Sequence, residues 1–382
     1  MEDHQRHKSL LDLGLYFFRL SWTAFGGPLA YIAMMQDDCV EKKRWLSKDE
    51  FTEMLGITNM LPGPNATEMA IHIGYAKSGK LGAVVSGLAF TVPSFIIMLI
   101  LSWLYFQYGS IPAVSGLFYG MNPVVVAIII VTVLRLGRTS LVDWKLALIF
   151  VGALLLSHFT GLNEALILLS SGIAGALIYA RIPRSRLMSA LVLLPAGMLG
   201  VADSRDFPVL IQLFLEFLKA SLLLFGTGLV IIPLLGPDIV DVFGWMSYRE
   251  FFDGVTLGQI TPGPVMKTAA FVGYKVAGIL GAFVAMAGIF LPPFIIVPAV
   301  APFIRQMRDN RWLQGFLKGV KAGAVGIILA VVGSLAKVAF PDLLTIGIAA
   351  VSLVAILKFR ANMSLLVIVA GALGILTKLL VR

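Results

Sequence analysis

The chain is short of charge and almost without cysteine. Asp, Glu, Lys and Arg make up 13% of its 382 residues, against roughly 25% in soluble domains. Hydrophobic residues make up 58%, so the deficit places the chain in a membrane. Cys39 is the only cysteine, which excludes intrachain disulfides and thiolate metal sites. His4, His7, His72 and His158 stand apart with no ligand spacing, so neither a metal nor a cofactor is expected. The chain has no Gly-x-x-x-x-Gly-Lys-[Ser/Thr] run, which argues against ATP as the energy source. No cluster of His, Asp and Glu offers a catalytic centre, and an enzyme is not expected.

What the chain has instead is apolar runs: Leu81–Tyr105, Pro123–Leu134, Leu146–Phe159, Ala165–Ala180, Gly278–Phe303, Gly323–Val338 and Leu365–Leu380. Several approach the ~20 residues that a ~30 Å hydrocarbon core requires, and some are short. The expected fold class is an all-α polytopic membrane protein. The net charge of +9 lies in short loops between the runs, as membrane topology demands. No basic patch alternates with aromatics on a helix face, so nucleic acid is not a partner. The charged stretch Met1–Ser9 leads into Leu10–Phe25 with no small-residue cleavage pattern. It reads as a retained cytoplasmic start of a multi-pass plasma-membrane protein.

The sequence repeats itself. Adding 200 to a residue number carries Phe25-Gly26 to Phe225-Gly226, Asp38 to Asp238 and Trp45 to Trp245. It also carries Ser47, Glu50 and Phe51 to Ser247, Glu250 and Phe251. Pro62-Gly63-Pro64 recurs as Pro262-Gly263-Pro264, and beyond it the offset becomes 199, from Gly82/Gly281 through Pro93/Pro292. The domains are therefore an N-terminal repeat over 1–186, a connection over 187–207 and a C-terminal repeat over 208–382. The apolar stretch Leu187–Val201 reads as an extra crossing or an interfacial linker.

Each repeat opens with an apolar segment interrupted by glycine, at Gly26-Gly27-Pro28 or Gly226-Thr227-Gly228. A polar loop follows and ends in a capping-box spacing, Ser47 with Glu50 or Ser247 with Glu250. Then come a half-helix, the Pro-Gly-Pro, a second half-helix and about four spanning helices. Basic residues cluster at Lys42/Lys43/Arg44/Lys48, Lys77/Lys80 and Arg135/Arg138 in one half, and at Arg305/Arg308/Arg311 and Lys358/Arg360 at the opposite loops of the other. This switch predicts an inverted-topology repeat. The same rule favours re-entrant hairpins for the segments 14–35 and 51–77; the alternative has each of them spanning once.

A Pro-Gly-Pro in apolar sequence breaks a helix, because proline lacks the N–H and clashes with the preceding turn. In lipid such a break survives only against protein or a water-filled cavity, and a matching pair in two halves points to a transporter site. Pro64 and Pro264 would open new helices whose first amides face an anion. Around the breaks lie Asn59, Asn65, Thr67 and Glu68 in one half and Gln259, Thr261, Lys267 and Thr268 in the other. Lys267 needs a negative partner, either a bound anion or Glu68. Glu68 is a candidate to take and release a proton. Arg19 and Lys219, ionisable groups at matching positions inside apolar segments, are functional candidates or snorkelling side chains.

These motifs resemble the chromate ion transporter family in its long two-repeat form. The resemblance rests on Phe25-Gly26-Gly27-Pro28, Glu41-Lys42-Lys43-Arg44-Trp45-Leu46, Leu61-Pro62-Gly63-Pro64 and Gly258-Gln259-Ile260-Thr261-Pro262-Gly263-Pro264. Phe271-Val272-Gly273-Tyr274 and Gly288-Ile289-Phe290-Leu291-Pro292 also fit. The chain departs at Asn59-Met60, where the family commonly has glutamine. The resemblance implies a secondary transporter of chromate, a tetrahedral dianion similar to sulfate, usually moved outward to give resistance. Energy would come from an ion or proton gradient or from exchange, as in an antiporter. The expected partners are the oxyanion, a coupling proton, the bilayer and, as an open alternative, a second copy in a homodimer. An anion channel, or carriage of a different small anion, is the alternative.

Overall fold

The computed structural model describes residues 2–23, 28–109, 111–179, 207–225, 228–303 and 310–380. The stretch 187–201, the glycines Gly26, Gly27 and Gly226, and the loop carrying Arg305 and Arg308 lie outside the described residues. Among the described residues all regular structure is helical, so the chain is an all-α polytopic membrane protein.

In the first half, α1 (Glu2–Thr23) and α2 (Pro28–Gln36, continued as a π-helix over Asp37–Lys42) are followed by α3 (Lys48–Thr58) and α4 (Asn65–Tyr108). Then come α5 (Pro112–Ser140), α6 (Trp144–Phe159) and α7 (Glu164–Tyr179). The second half repeats the order: α8 (Val209–Leu223), α9 (Ile231–Pro237), α10 (Tyr248–Ile260) and α11 (Thr268–Val300, after a 3₁₀ turn at Val265–Lys267). It closes with α12 (Arg311–Ala339), α13 (Leu343–Phe359) and α14 (Met363–Leu380). Among the described residues five helical stretches, within α4, α5, α11 with its 3₁₀ turn, α12 and α14, are long and apolar enough to cross a membrane. The helices α6, α7 and α13 are apolar but shorter.

Both expected capping boxes form. The Ser47 hydroxyl accepts from the Glu50 amide while the Glu50 carboxylate accepts from the Ser47 amide, and Ser247 with Glu250 repeats the arrangement. Each box fixes where a half-helix starts. The Pro-Gly-Pro fixes where it stops.

The helix that follows each break turns back on itself. In α4 the backbone leaves the helical region at Ser78 and Gly79, with Gly79 at φ +62°; in α11 it does so at Ala277 and Gly278, with Gly278 at φ +61°. The arms before and after each turn lie backbone to backbone. A Cβ on Gly74 would sit 2.3 Å from the Gly82 carbonyl oxygen, and one on Gly273 2.2 Å from that of Gly281. Only glycine permits this approach.

These turns show where the chain returns. The Lys77 ammonium lies over the Trp45 ring, and the Ser78 hydroxyl pairs with that of Ser9 near the start of α1. The stretch from Trp45 through the break to Lys77 thus begins and ends at the same level. In the second half Lys275 pairs with Glu250 at 2.8 Å and covers the Phe106 ring. The two turns therefore lie at opposite ends of the long arm 80–108.

The halves are interleaved. The helices α6 and α7 of the first half pack on α12 of the second, and α13 and α14 of the second pack on α5 of the first. Glycines make the crossings close: a Cβ on Gly120 would sit 1.8 Å from the Ala370 carbonyl, and one on Gly319 2.0 Å from that of Ser171. In a bilayer, where apolar side chains gain little by leaving lipid, such small-residue contacts drive helix association. At the centre α4 packs against α11.

Candidate site at the paired helix breaks

Each break is held by the opposite half. The Gly63 amide donates to the Leu224 carbonyl at 2.7 Å. The Gly263 amide donates to the Tyr31 hydroxyl at 2.7 Å, and that hydroxyl donates back to the Gly263 carbonyl at 3.1 Å. A Cβ on Gly63 would meet the Pro293 ring at 3.1 Å, and one on Gly263 the Ser94 side chain at 2.3 Å. Both glycines have positive φ, +142° and +95°, so side chains are excluded by conformation and by space.

Beyond each break a helix begins. The first bonds back to the break come from the Thr67 and Glu68 amides to Pro64 and from the Lys267 amide to Pro264. The amides of 65–66 and 265–266 come ahead of these and carry the positive end of the helix dipole.

A cavity of about 560 Å³ ends at the two breaks. Asn59, Asn65 and Leu55 line it from the first break, and Gln259, Thr261, Gly263 and Val265 from the second. Lys321 of α12 and Thr132, Arg135, Thr139 and Ser140 of α5 form the wall, with Met363 and Ser364 at the start of α14. The lining thus runs from the breaks to the last turn of α5. Nine buried side-chain polar atoms have no hydrogen-bond partner among the described residues, and five belong to Asn65, Thr67, Glu68 and Gln259 beside the breaks. Each such group costs ~1–3 kcal/mol until something donates to it or accepts from it.

The end of α5 away from this cavity is shut. There the Asp253 carboxylate of α10 accepts from the Asn122 amide at 2.7 Å and from the Tyr105 hydroxyl at 2.8 Å. The Thr256 hydroxyl donates to Asn122 at 2.7 Å. Tyr105 packs edge-on to Phe118 and Phe271, sealing the network with aromatic rings.

The expected residues divide by place. Asn65 and Gln259 reach the cavity together with Gly263, and Pro62, Gly63, Pro64, Pro262 and Pro264 form the breaks behind it. Thr67 and Glu68 are buried on the short arm of α4, and Glu68 lies against Gly63 with neither oxygen partnered. Lys267 is fully buried and its ammonium donates to the carbonyls of Thr261 (2.8 Å), Pro262 (2.9 Å) and Gly263 (3.1 Å). All three of its protons are used, so it clips the second break together and forms no ion pair with Glu68. The Thr268 hydroxyl bonds to the Val265 carbonyl. Lys219 is held by Glu216 and Asp238, and Arg19 is exposed; neither lines the cavity.

The full-length relatives agree on what such a chain is. The family model described as Chromate transporter matches residues 11–176 and again 211–375. The chain belongs to the chromate transporter family. This is a family of membrane transporters, not of enzymes. The chromate transport protein of Cupriavidus metallidurans is 35% identical over 95% of this chain and 92% of its own length. That of Pseudomonas aeruginosa is 33% identical over 94% and 90%. A transporter of Bacillus subtilis matches 44% of this chain with 95% of its own length at 27% identity, so one repeat has the length of a whole relative. No solved structure matches the chain.

Within this family fold, sequence reading missed Tyr31, Asn122, Asp253 and Lys321, and marked Arg135 only as a loop cation. Reading the last apolar run of α12 from Gly323 leaves Lys321 just outside it, although an ionisable group in an apolar helix is a functional candidate by the argument applied to Arg19 and Lys219. Asp253 carried a signal in its repeat mate Glu53. Tyr31 carried none, since its partner lies 232 residues away.

Proposed function

We propose that the chain is a secondary transporter of a tetrahedral oxyanion, chromate with sulfate as its nearest analogue, working by alternating access around the two breaks. The observation that supports this most directly is the cavity itself: it reaches both breaks from one end while the other end is shut by the Asp253 network. The anion is received by the amides at 65–66 and 265–266 and by the side chains of Asn65 and Gln259. Arg135 and Lys321 draw it in electrostatically. Lys267, by gathering three carbonyls, keeps their negative ends away from the anion. Glu68 is the candidate carrier of a coupling proton, and Thr67 and Thr268 shape the backbone around the site. Lys219, held by Glu216 and Asp238, supports α8, and Arg19 stays exposed on α1.

The inverted repeat is part of this reading. The short-arm turns lie at opposite ends of the long arm 80–108, and each Pro-Gly-Pro segment returns to the end it left. The open end carries Lys42, Lys43, Arg44, Lys48, Arg135 and Arg138, which makes it cytoplasmic under the positive-inside rule. Uptake of labelled chromate and sulfate into proteoliposomes, with and without a pH gradient, tests the function. Saturable chromate uptake that sulfate inhibits is expected; if neither anion moves, the substrate reading fails.

A further inference from the structure

At the shut end one side chain ties α5 to α10. Asn122 donates to Asp253 and accepts from Thr256. The repeat puts counterparts of all three at the open end. The glycine crossings fix the register: Gly116 and Gly120 of α5 abut Gly374 and Ala370, whereas Gly315 and Gly319 of α12 abut Gly175 and Ser171. Corresponding members differ by 199, so Lys321 stands where Asn122 stands (122 + 199 = 321). Between Ser47/Ser247 and Pro64/Pro264 the register is 200, so Glu53 corresponds to Asp253 and Gly56 to Thr256.

The exchanges compensate one another. A long ammonium replaces a short amide where a glycine replaces the threonine, and a Cβ on Gly56 would meet nothing within 4 Å. The carboxylate is kept. In this structure the two do not meet: Glu53 is exposed, and Lys321 lines the cavity with no hydrogen bond or ion pair among the described residues.

We propose that Lys321 and Glu53 are the pair that shuts the basic end. When α3 closes onto α12, the Glu53 carboxylate takes the Lys321 ammonium, as Asp253 takes Asn122 and Tyr105 at the far end. Lys321 is then a positioning residue with two successive partners, an anion in the open cavity and Glu53 in the shut one. Because both compete for a single ammonium, an occupied cavity and a closed Lys321–Glu53 pair exclude each other until the anion has moved off toward the breaks. The inference rests on the alternating-access reading above.

The test uses the full chain with Cys39→Ala, reconstituted in liposomes. Lys321→Cys with Glu53→Cys and, separately, Asn122→Cys with Asp253→Cys are treated with dibromobimane, which bridges nearby thiols. Both pairs are expected to cross-link, the first more slowly when chromate is present. Lys321→Glu, which puts a carboxylate into the anion cavity, is expected to lose at least tenfold in flux. Adding Glu53→Lys is expected to restore closure of the basic end, read as protection of a cysteine at Thr132 from that face, without restoring flux. No cross-link at 53/321 while 122/253 reacts to completion overturns the pair, as does a charge swap that restores no protection. Thr132→Cys on the cavity wall separates this failure from that of the underlying reading. Labelling by an impermeant thiol reagent from both faces keeps alternating access and discards only the pair; labelling from the basic face alone discards both.

Discussion

The helices α3 and α10 start from the same code and end in different surroundings. Each is opened by a serine whose side chain and amide close a capping box, and each stops at a Pro-Gly-Pro. Yet every residue of α10 from Phe251 to Gly258 is buried, whereas α3 buries only Phe51, Ile57 and Thr58. The helix α10 lies against α4, α5, α12 and α14, while the main neighbour of α3 is α4 of its own half. Local sequence thus sets the helix, and the neighbours decide whether it is clamped. Under the proposed alternating access, two such helices, one clamped and one free, correspond to the two states of the cycle in one frame.

The sharpest way to break this comparison is to release the clamp. Asp253→Ala leaves Asn122 and Tyr105 without their acceptor. Hydrogen bonds to a charged group contribute ~1.5–3 kcal/mol each, so the balance between the two ends should move by roughly tenfold or more. A cysteine placed at buried Thr256, with Cys39→Ala, should then react at least tenfold faster with an impermeant thiol reagent from the far side. An unchanged rate would show that Asp253 does not hold that end. Asn122→Leu, which in the same Thr256→Cys background removes the bond to Asp253 but keeps Tyr105 on it, should give the same change at a smaller size.

Glycines sharpen the contrast between the helices. A Cβ on Gly254 of α10 would fall 2.4 Å from the Phe271 ring, while one on Gly56 of α3 has open space. Gly254→Ala should therefore cost ~1–3 kcal/mol through overpacking, seen as a lower melting temperature in detergent. Gly56→Ala should hold or raise it, since alanine is favoured over glycine in a helix by up to ~1 kcal/mol. Equal losses at both would contradict the difference in packing.

The smallest effect concerns acid. The Ser47 amide and hydroxyl hold the Glu50 carboxyl below its usual range. For Glu250 burial pushes upward, but Lys275 and the Ser247 amide and hydroxyl outweigh it, leaving the group lowered. A lowered carboxyl stabilises the fold above its unfolded value of about 4.3 and loses that contribution as pH falls through the folded value. Thermal stability attributable to these boxes should hold between pH 7 and roughly pH 5 and fall only below about 4.3. Glu250→Gln should lower the melting temperature more than Glu50→Gln, because only Glu250 has the lysine.

Much of this was legible in the sequence because its signals are local. A proline without an N–H must break a helix, and Ser-x-x-Glu must favour a start, so the half-helices and breaks could be placed from the chain alone. The repeat gave the correspondence of the halves. What was not legible is which helices meet. Interleaving α6 and α7 with α12, and α13 and α14 with α5, depends on glycine contacts such as Gly120 with Ala370, which no periodicity reports. For the same reason Lys267 could be marked as a buried cation but not as the clip of its own break. The choice among Thr261, Pro262 and Gly263 carbonyls, Glu68 or an anion is made by tertiary geometry.

Counterflow measures the cycle most directly. Proteoliposomes loaded with labelled chromate are diluted into buffer with or without unlabelled chromate, and release is followed. If the clamped and free helices are two faces of one cycle, external chromate accelerates release and the effect saturates. Release that ignores external chromate, and rises linearly with the gradient, would mean a fixed pore and contradict the account.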